Sequence, residues 1–145
     1  MANSLRRTQR GSASAELAIL VPMFVLLALT VAAGSRLHWA QAQVQETAAA
    51  AARAATVFNS AQQANTAARE IFVRDLASVG VHCTDLDFQL DSTGFALLPG
   101  EQADVHVTVR CELSMADLAA PGLPGSFSVR AQASERIDTY RSRRP

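Results

Sequence analysis

Between Leu17 and Gly34 the chain reads LAILVPMFVLLALTVAAG, eighteen residues without a charge. Wound as a helix at ~1.5 Å per residue, such a run measures about 27 Å, close to the hydrocarbon thickness of a bilayer. Few fates are open to it: a membrane anchor, a secretory signal, or a membrane segment of a precursor cut ahead of it. In a chain of 145 residues it leaves room for one further domain at most. The charges around it set its direction. Arg6, Arg7 and Arg10 precede the run with no acid among them, and the chain that follows is neutral to mildly acidic. That asymmetry holds the N-terminus in the cytoplasm and sends the remainder across. The two cysteines, Cys83 and Cys111, then lie where disulfides persist.

Downstream, Arg36 to Phe58 contains neither Gly nor Pro and is dominated by Ala, Gln and Glu, all helix formers. Leu37, Val44, Ala51 and Phe58 recur every seventh residue, with Ala40, Ala48 and Ala55 between them. This small-residue stripe is suited to close packing, either on the chain's own domain or on a partner. The apolar helix is therefore expected to continue into an amphipathic stalk. Asn59-Ser60 interrupts it, with Ser60 placed to cap a second helix. Ala64, Ala68, Phe72, Leu76 and Val79 would line one face of that helix, and Gly80 would stop it.

After Gly80 the period falls from helical to two. Leu86, Phe88 and Leu90 alternate with polar residues in TDLDFQLD, as do the odd positions Val105 to Leu113 in ADVHVTVRCEL and Phe127 to Ala133 in SFSVRAQAS. Three such segments predict half-buried strands, and the Gly- and Pro-bearing stretches between them predict turns. The fold class expected is α+β: a transmembrane helix, a second short helix and a three-stranded antiparallel meander. The divisions expected are a basic leader over 1–11, an apolar helix over 12–34, helical segments over 35–80 and an exported meander over 81–145. Aligning inward faces pairs Leu86 with Val109, Phe88 with Val107 and Leu90 with Val105. Cys111 then faces Thr84, so a Cys83–Cys111 disulfide requires Cys83 to lie outside the regular strand or beside a bulge.

Glu16, at the edge of the apolar run, separates three readings of the N-terminus. In the first, the segment is a plain anchor with Glu16 at the headgroup level. In the second, it is a signal peptide cut before Ser35, although its apolar run exceeds the usual ~7–15 residues of such a core. In the third, the chain is cut between Gly11 and Ser12. A carboxylate within a bilayer costs on the order of 2.5–3.5 kcal/mol and calls for a partner. Cutting after Gly11 creates an ammonium at Ser12, which in a helical filament would neutralise Glu16 of a neighbouring subunit and select one stagger. This third reading is the one favoured.

Basic leader, Gly11, four residues, Glu16 and an apolar run together resemble type IV pilin-like precursors. More narrowly, RGSASAELAILVP is similar to the TadE-like proteins of tight-adherence (Tad, Flp-type) pilus systems, matching at Arg10, Gly11, Glu16, Ala18 and Pro22. Leu17 departs from the aromatic common in that family. The resemblance implies a minor pilin or pseudopilin, cleaved after Gly11 by a prepilin peptidase, with Glu16 and Pro22 serving assembly. Implied partners are the peptidase, other pilin subunits, the membrane platform of the Tad apparatus and the lipid bilayer. The implied place is the cytoplasmic membrane, single-pass, with the C-terminal domain outside. An adhesive pilus and a secretion pseudopilus both remain open.

No other constellation competes. His82, Cys83, His106 and Cys111 lack the spacing of a metal site, since His106 and Cys111 fall on opposite strand faces. Asp85, Asp87 and Asp91 lack the glycine and terminal glutamate of a calcium loop. Neither arginine cluster is interleaved with aromatics, so nucleic acid is not an expected partner. No nucleophile motif or phosphate loop occurs, and neither catalysis nor a cofactor is expected. Trp39, beside Arg36 and His38, is expected as an interfacial anchor. The rival reading is an anchored or secreted binding module in which Glu16 has no special task.

Overall fold

With no Gly or Pro after Gly34 to interrupt it, the first helix runs unbroken from Gln9 to Ala55 (α1). The computed structural model describes residues 9–118 and 124–140, with side chains described over 16–116 and 124–140. Arg6 and Arg7 of the leader, the side chain of Arg10 and the arginines after Tyr140 lie outside the described residues. The chain divides into two compact units, Met1–Arg36 and Leu37–Pro145. The second holds the hydrophobic core.

In that unit α1 ends three residues sooner than its heptad stripe predicts. The amides of Thr56, Val57 and Phe58 bond three residues back, to Arg53, Ala54 and Ala55. The β-branched pair Thr56-Val57 disfavours a further α-turn, and this tighter winding closes the helix. Phe58 nevertheless packs on the core from outside the helix. The second helix, Ala61–Ser78 (α2), starts where Ser60 turns extended, but the Ser60 hydroxyl makes no capping bond. Its backbone carbonyl accepts from Ala64 instead (2.9 Å). At the other end Gly80 takes φ +77°. The Val81 amide reaches the Leu76 carbonyl (3.2 Å) and the Gly80 amide that of Ala77 (3.0 Å). This is a Schellman closure, sealed by the buried pair Leu76 and Val81. Val79, expected on the buried face, is instead the cap residue and lies 38% exposed.

The remaining elements are β1 (Cys83–Asp91), a single 3-10 turn (Thr93–Ala96), β2 (Ala103–Ser114), the short helix α3 (Met115–Leu118) and β3 (Ser126–Ile137). The strands form one antiparallel sheet in the order β1-β2-β3, so the architecture is the α+β meander that the periodicity predicts. The register differs from the one expected by two residues: Leu86 pairs with Cys111, Phe88 with Val109 and Leu90 with Val107. Face alternation is satisfied equally by any shift of two, so the apolar pattern could not choose between them. The longer connection is used. Asp91 Oδ1 accepts from the Thr93 amide (3.0 Å) and starts the 3-10 turn, which drops Phe95 into the core at 1% exposure. Gly94 is required there, because a Cβ would stand 2.5 Å from the Asp104 carbonyl oxygen.

At the start of β1 the register shifts between Cys83 and Asp85, a bulge that sets Cys83 opposite Leu113. Thr84 is the extra residue, its hydroxyl donating to the Glu112 carbonyl (3.0 Å). Cys83 is thereby turned to the inner face and is bonded to Cys111, with Cα atoms 5.3 Å apart. The closed loop, of sequence separation 28, is worth about 3 kcal/mol in the chain-entropy model.

Both helices cover one face of the sheet. On one side Gln45 of α1 donates from Nε2 to the Gln132 carbonyl of β3 (2.7 Å), and Arg53 pairs with Glu135 at 3.3 Å. On the other, Phe72 of α2 meets Phe88 of β1 with ring centroids 5.8 Å apart. Ala40, Val44, Ala48, Ala51, Ala52 and Ala55 of α1 are fully buried, so the residues expected as a stalk share one core with the strands. The opposite sheet face is polar throughout, and carries Asp85, Asp87 and Asp91 together on β1. Asp91 has its carboxyl held below the ordinary value by the Thr93 backbone hydrogen bond, then the Thr93 side-chain bond, with a smaller contribution from the charge of His106.

Candidate functional site

The site the sequence points to is the first half of α1, in the unit Met1–Arg36. From Leu17 to Val31 every large apolar side chain is exposed, Ile19 at 75% and Met23 at 71%. Within this unit no described residue covers them. A helix apolar on all sides and so exposed is suited to a solvent that is itself apolar. Returning each large side chain to such a solvent regains about 1.5–3 kcal/mol. Even at the bilayer centre one carboxylate would cost about 2.5–3.5 kcal/mol, which two of these side chains would offset, so the segment could span a membrane. Among the described residues this is the one helix long and apolar enough to cross a membrane.

The two hydroxyls near the end of the segment are bonded within the helix. Thr30 Oγ1 donates to the Leu26 carbonyl (2.8 Å) and Ser35 Oγ to that of Ala32 (2.8 Å). This back-bonding keeps both hydroxyls from standing unpaired in lipid. The sequence marked Ser35 only as a candidate cleavage point and Thr30 not at all, though a hydroxyl three or four residues after a helical carbonyl is the available signal. Pro22 sits inside α1. Having no N–H, it leaves the Ala18 carbonyl without its i+4 donor, the one backbone acceptor in the described run freed by sequence.

The expected site residues divide between the two units. Gly11 and Ser12 lie on the helical backbone of α1, with the Ser12 side chain outside the described residues. Glu16 is exposed one turn further on, and its carboxylate has no ion pair or hydrogen bond among the described residues. Trp39 lies in the second unit, 48% exposed. Cys83 and Cys111 are in the sheet, joined to each other. His106 is on the exposed sheet face while Cys111 is buried. No cluster of potential metal ligands occurs among the described residues.

No curated protein and no solved structure matches the chain. A family model described as TadE-like protein matches residues 11–53. The matched stretch opens at Gly11, takes in Glu16 and Pro22, and closes within two residues of the end of α1. Over residues 11–53, the long apolar helix and its continuation into the core, this chain is similar to the TadE-like proteins.

Proposed function

We propose that the protein is a minor pilin or pseudopilin precursor of a Tad-type pilus or a related secretion apparatus, acting by assembly and not by catalysis. The family match over residues 11–53 supports the coarser association with a Tad pilus system. The observation that carries the finer reading is Glu16: an exposed carboxylate without a partner among the described residues, at the head of an uncovered apolar helix. Cleavage between Gly11 and Ser12 supplies the missing cation as the new Ser12 ammonium. The ammonium of one subunit meets Glu16 of the next as apolar helices close around them. In that dry setting an unmatched carboxylate is strongly disfavoured, so the pair rejects wrong staggers. Cleavage also removes the arginines that hold the precursor at the cytoplasmic face. The domain from Leu37 onward then lies outside, where its disulfide persists. Partners under this reading are a prepilin peptidase, other pilin subunits and the membrane platform of the apparatus.

The test is the N-terminal residue of the protein isolated from cells with and without the prepilin peptidase. The result expected is a mature chain starting at Ser12, lost when the peptidase is absent. A chain starting at Ser35 would make it a secreted domain, and an uncut one a plain anchor; either overturns the proposal.

A further inference from the structure

The sheet has two outer edges, one on β1 and one on β3. On β3 the Gln132 carbonyl accepts from the Gln45 amide, and Glu135 pairs with Arg53. The β1 edge pairs with no further strand among the described residues. The inward residues of β2 are all buried, yet Leu86, Phe88 and Leu90 on β1 are only half-buried, and Val73 of α2 above them is 48% exposed. Between α2 and the start of β1 lies a groove of about 140 Å³, lined by Phe72, Val73, Leu76, Val81 and Leu86 with Cys83 and His82 at its end.

We propose that this edge accepts a fourth strand from a different protein chain, apolar on the side facing α2 and basic on the other. Strand addition satisfies the free backbone donors and acceptors of an edge, while pockets for alternate side chains give specificity. The apolar row of the guest closes over Leu86, Phe88 and Leu90 and enters the groove. Its other row stands beside Asp85, Asp87 and Asp91, which with Glu112 outnumber Arg110 and His106, the cations across from Asp87 and Asp91 on β2. The same acids act against a second copy of this chain. Pairing β1 with β1 about a two-fold axis sets acids beside acids, and on the β3 edge the Gln132 carbonyl is already taken by Gln45. The inference goes beyond the pilus reading and does not depend on it.

The test uses the full chain in a non-ionic detergent and a labelled seven-residue peptide alternating Arg and Val. The controls are the same composition in block order and the alternating peptide with Glu for Arg. Anisotropy gives affinity, and amide hydrogen exchange locates the site. Expected are binding of the basic alternating peptide, slowed exchange within residues 84–91 but not 126–137, and at least tenfold weaker binding of both controls. The triple variant D85N/D87N/D91N, which alters only exposed side chains, is expected to weaken binding at least tenfold. Val73→Lys, on the rim of the groove, is expected to do the same. Equal binding of the block-order peptide, or unchanged exchange over 84–91, would reduce the effect to charge attraction and overturn strand addition. Self-association of the chain alone that protects 84–91 would overturn the choice of partner.

Discussion

Cys83 and Cys111 are joined without being opposite one another: Cys83 is the Cα partner of Leu113, and Cys111 that of Leu86. Three residues separate Cys83 from Leu86, an odd interval that would place them on opposite faces of a regular strand. The bulge at Thr84 makes up the difference and brings both to the inner face.

Removing the bond by Cys83→Ser with Cys111→Ser is therefore expected to lower stability by about 3 kcal/mol, read by denaturant unfolding of the detergent-solubilised chain. Deleting Thr84 leaves both cysteines in place but turns Cys83 toward water. Free thiols in that variant, counted by alkylation and mass spectrometry, are the expected result. A quantitative disulfide there would mean that the bulge does not control the pairing.

Gly94 stands against the backbone of the neighbouring strand, which no rotamer change can relieve. Gly94→Ala is expected to cost about 1–3 kcal/mol, in the range of overpacked cores. Ser92→Ala, two residues earlier, half-buried and with its backbone carbonyl still accepting from Phe95, is expected to change stability by less than about 0.5 kcal/mol. Parallel thermal melts of the two variants decide it.

How much of this was legible in advance depends on which quantity the pattern measures. The period-two alternation from Leu86 to Leu90 and from Val105 to Leu113 reports faces, and the faces came out as expected. It carries no information on shifts of two, and the register moved by that amount. Phe95 was read as part of a turn, because a lone aromatic between Gly94 and Ala96 has no periodic neighbours to place it inside. Val79 matched the helical spacing, but Gly80 adopts positive φ and ends the helix before that spacing can act. The Gln45–Gln132 bond joins residues 87 apart in sequence, and nothing local announces it. At the N-terminus, Gly11, Glu16 and Pro22 were legible as a motif because their spacing is itself the signal.

Asp91 offers a handle on pH. Its carboxyl is held below the ordinary value of 3.8 in the folded protein by the Thr93 bonds. A depressed carboxylate contributes stability that is present above its unfolded value and is lost as pH falls through the folded one. The effect thus belongs to the acid range at and below about 3.8. Asp91→Asn retains an acceptor for the Thr93 amide and removes the titration. Stability of the variant is expected to fall less steeply than that of the unaltered chain as pH drops through that range, as unfolding curves at pH 5, 4 and 3 would show.

Glu16→Ala separates maturation from assembly. Under the pilin reading the chain is still cut after Gly11, because the carboxylate lies beyond the scissile bond, but it no longer enters filaments. Immunoblots of membrane and sheared surface fractions should show a mature-length band confined to the membrane. Undiminished surface material from the variant would remove Glu16 from the mechanism.

Apart from Val44, Phe72 and Leu76, every apolar core residue that the two long helices contribute is alanine. Alanine has no rotamers to lose on burial, whereas a leucine or isoleucine gives up about 0.5–1 kcal/mol of conformational entropy. It is also the strongest helix former. The ordering cost of this domain therefore falls on the strands and on Phe95, and the helical layer docks largely as preformed, smooth-sided rods. A molecule built this way has its directional information concentrated in a few bulky side chains. Evolution can retune its sheet while the helices supply a nearly featureless, entropically inexpensive backing.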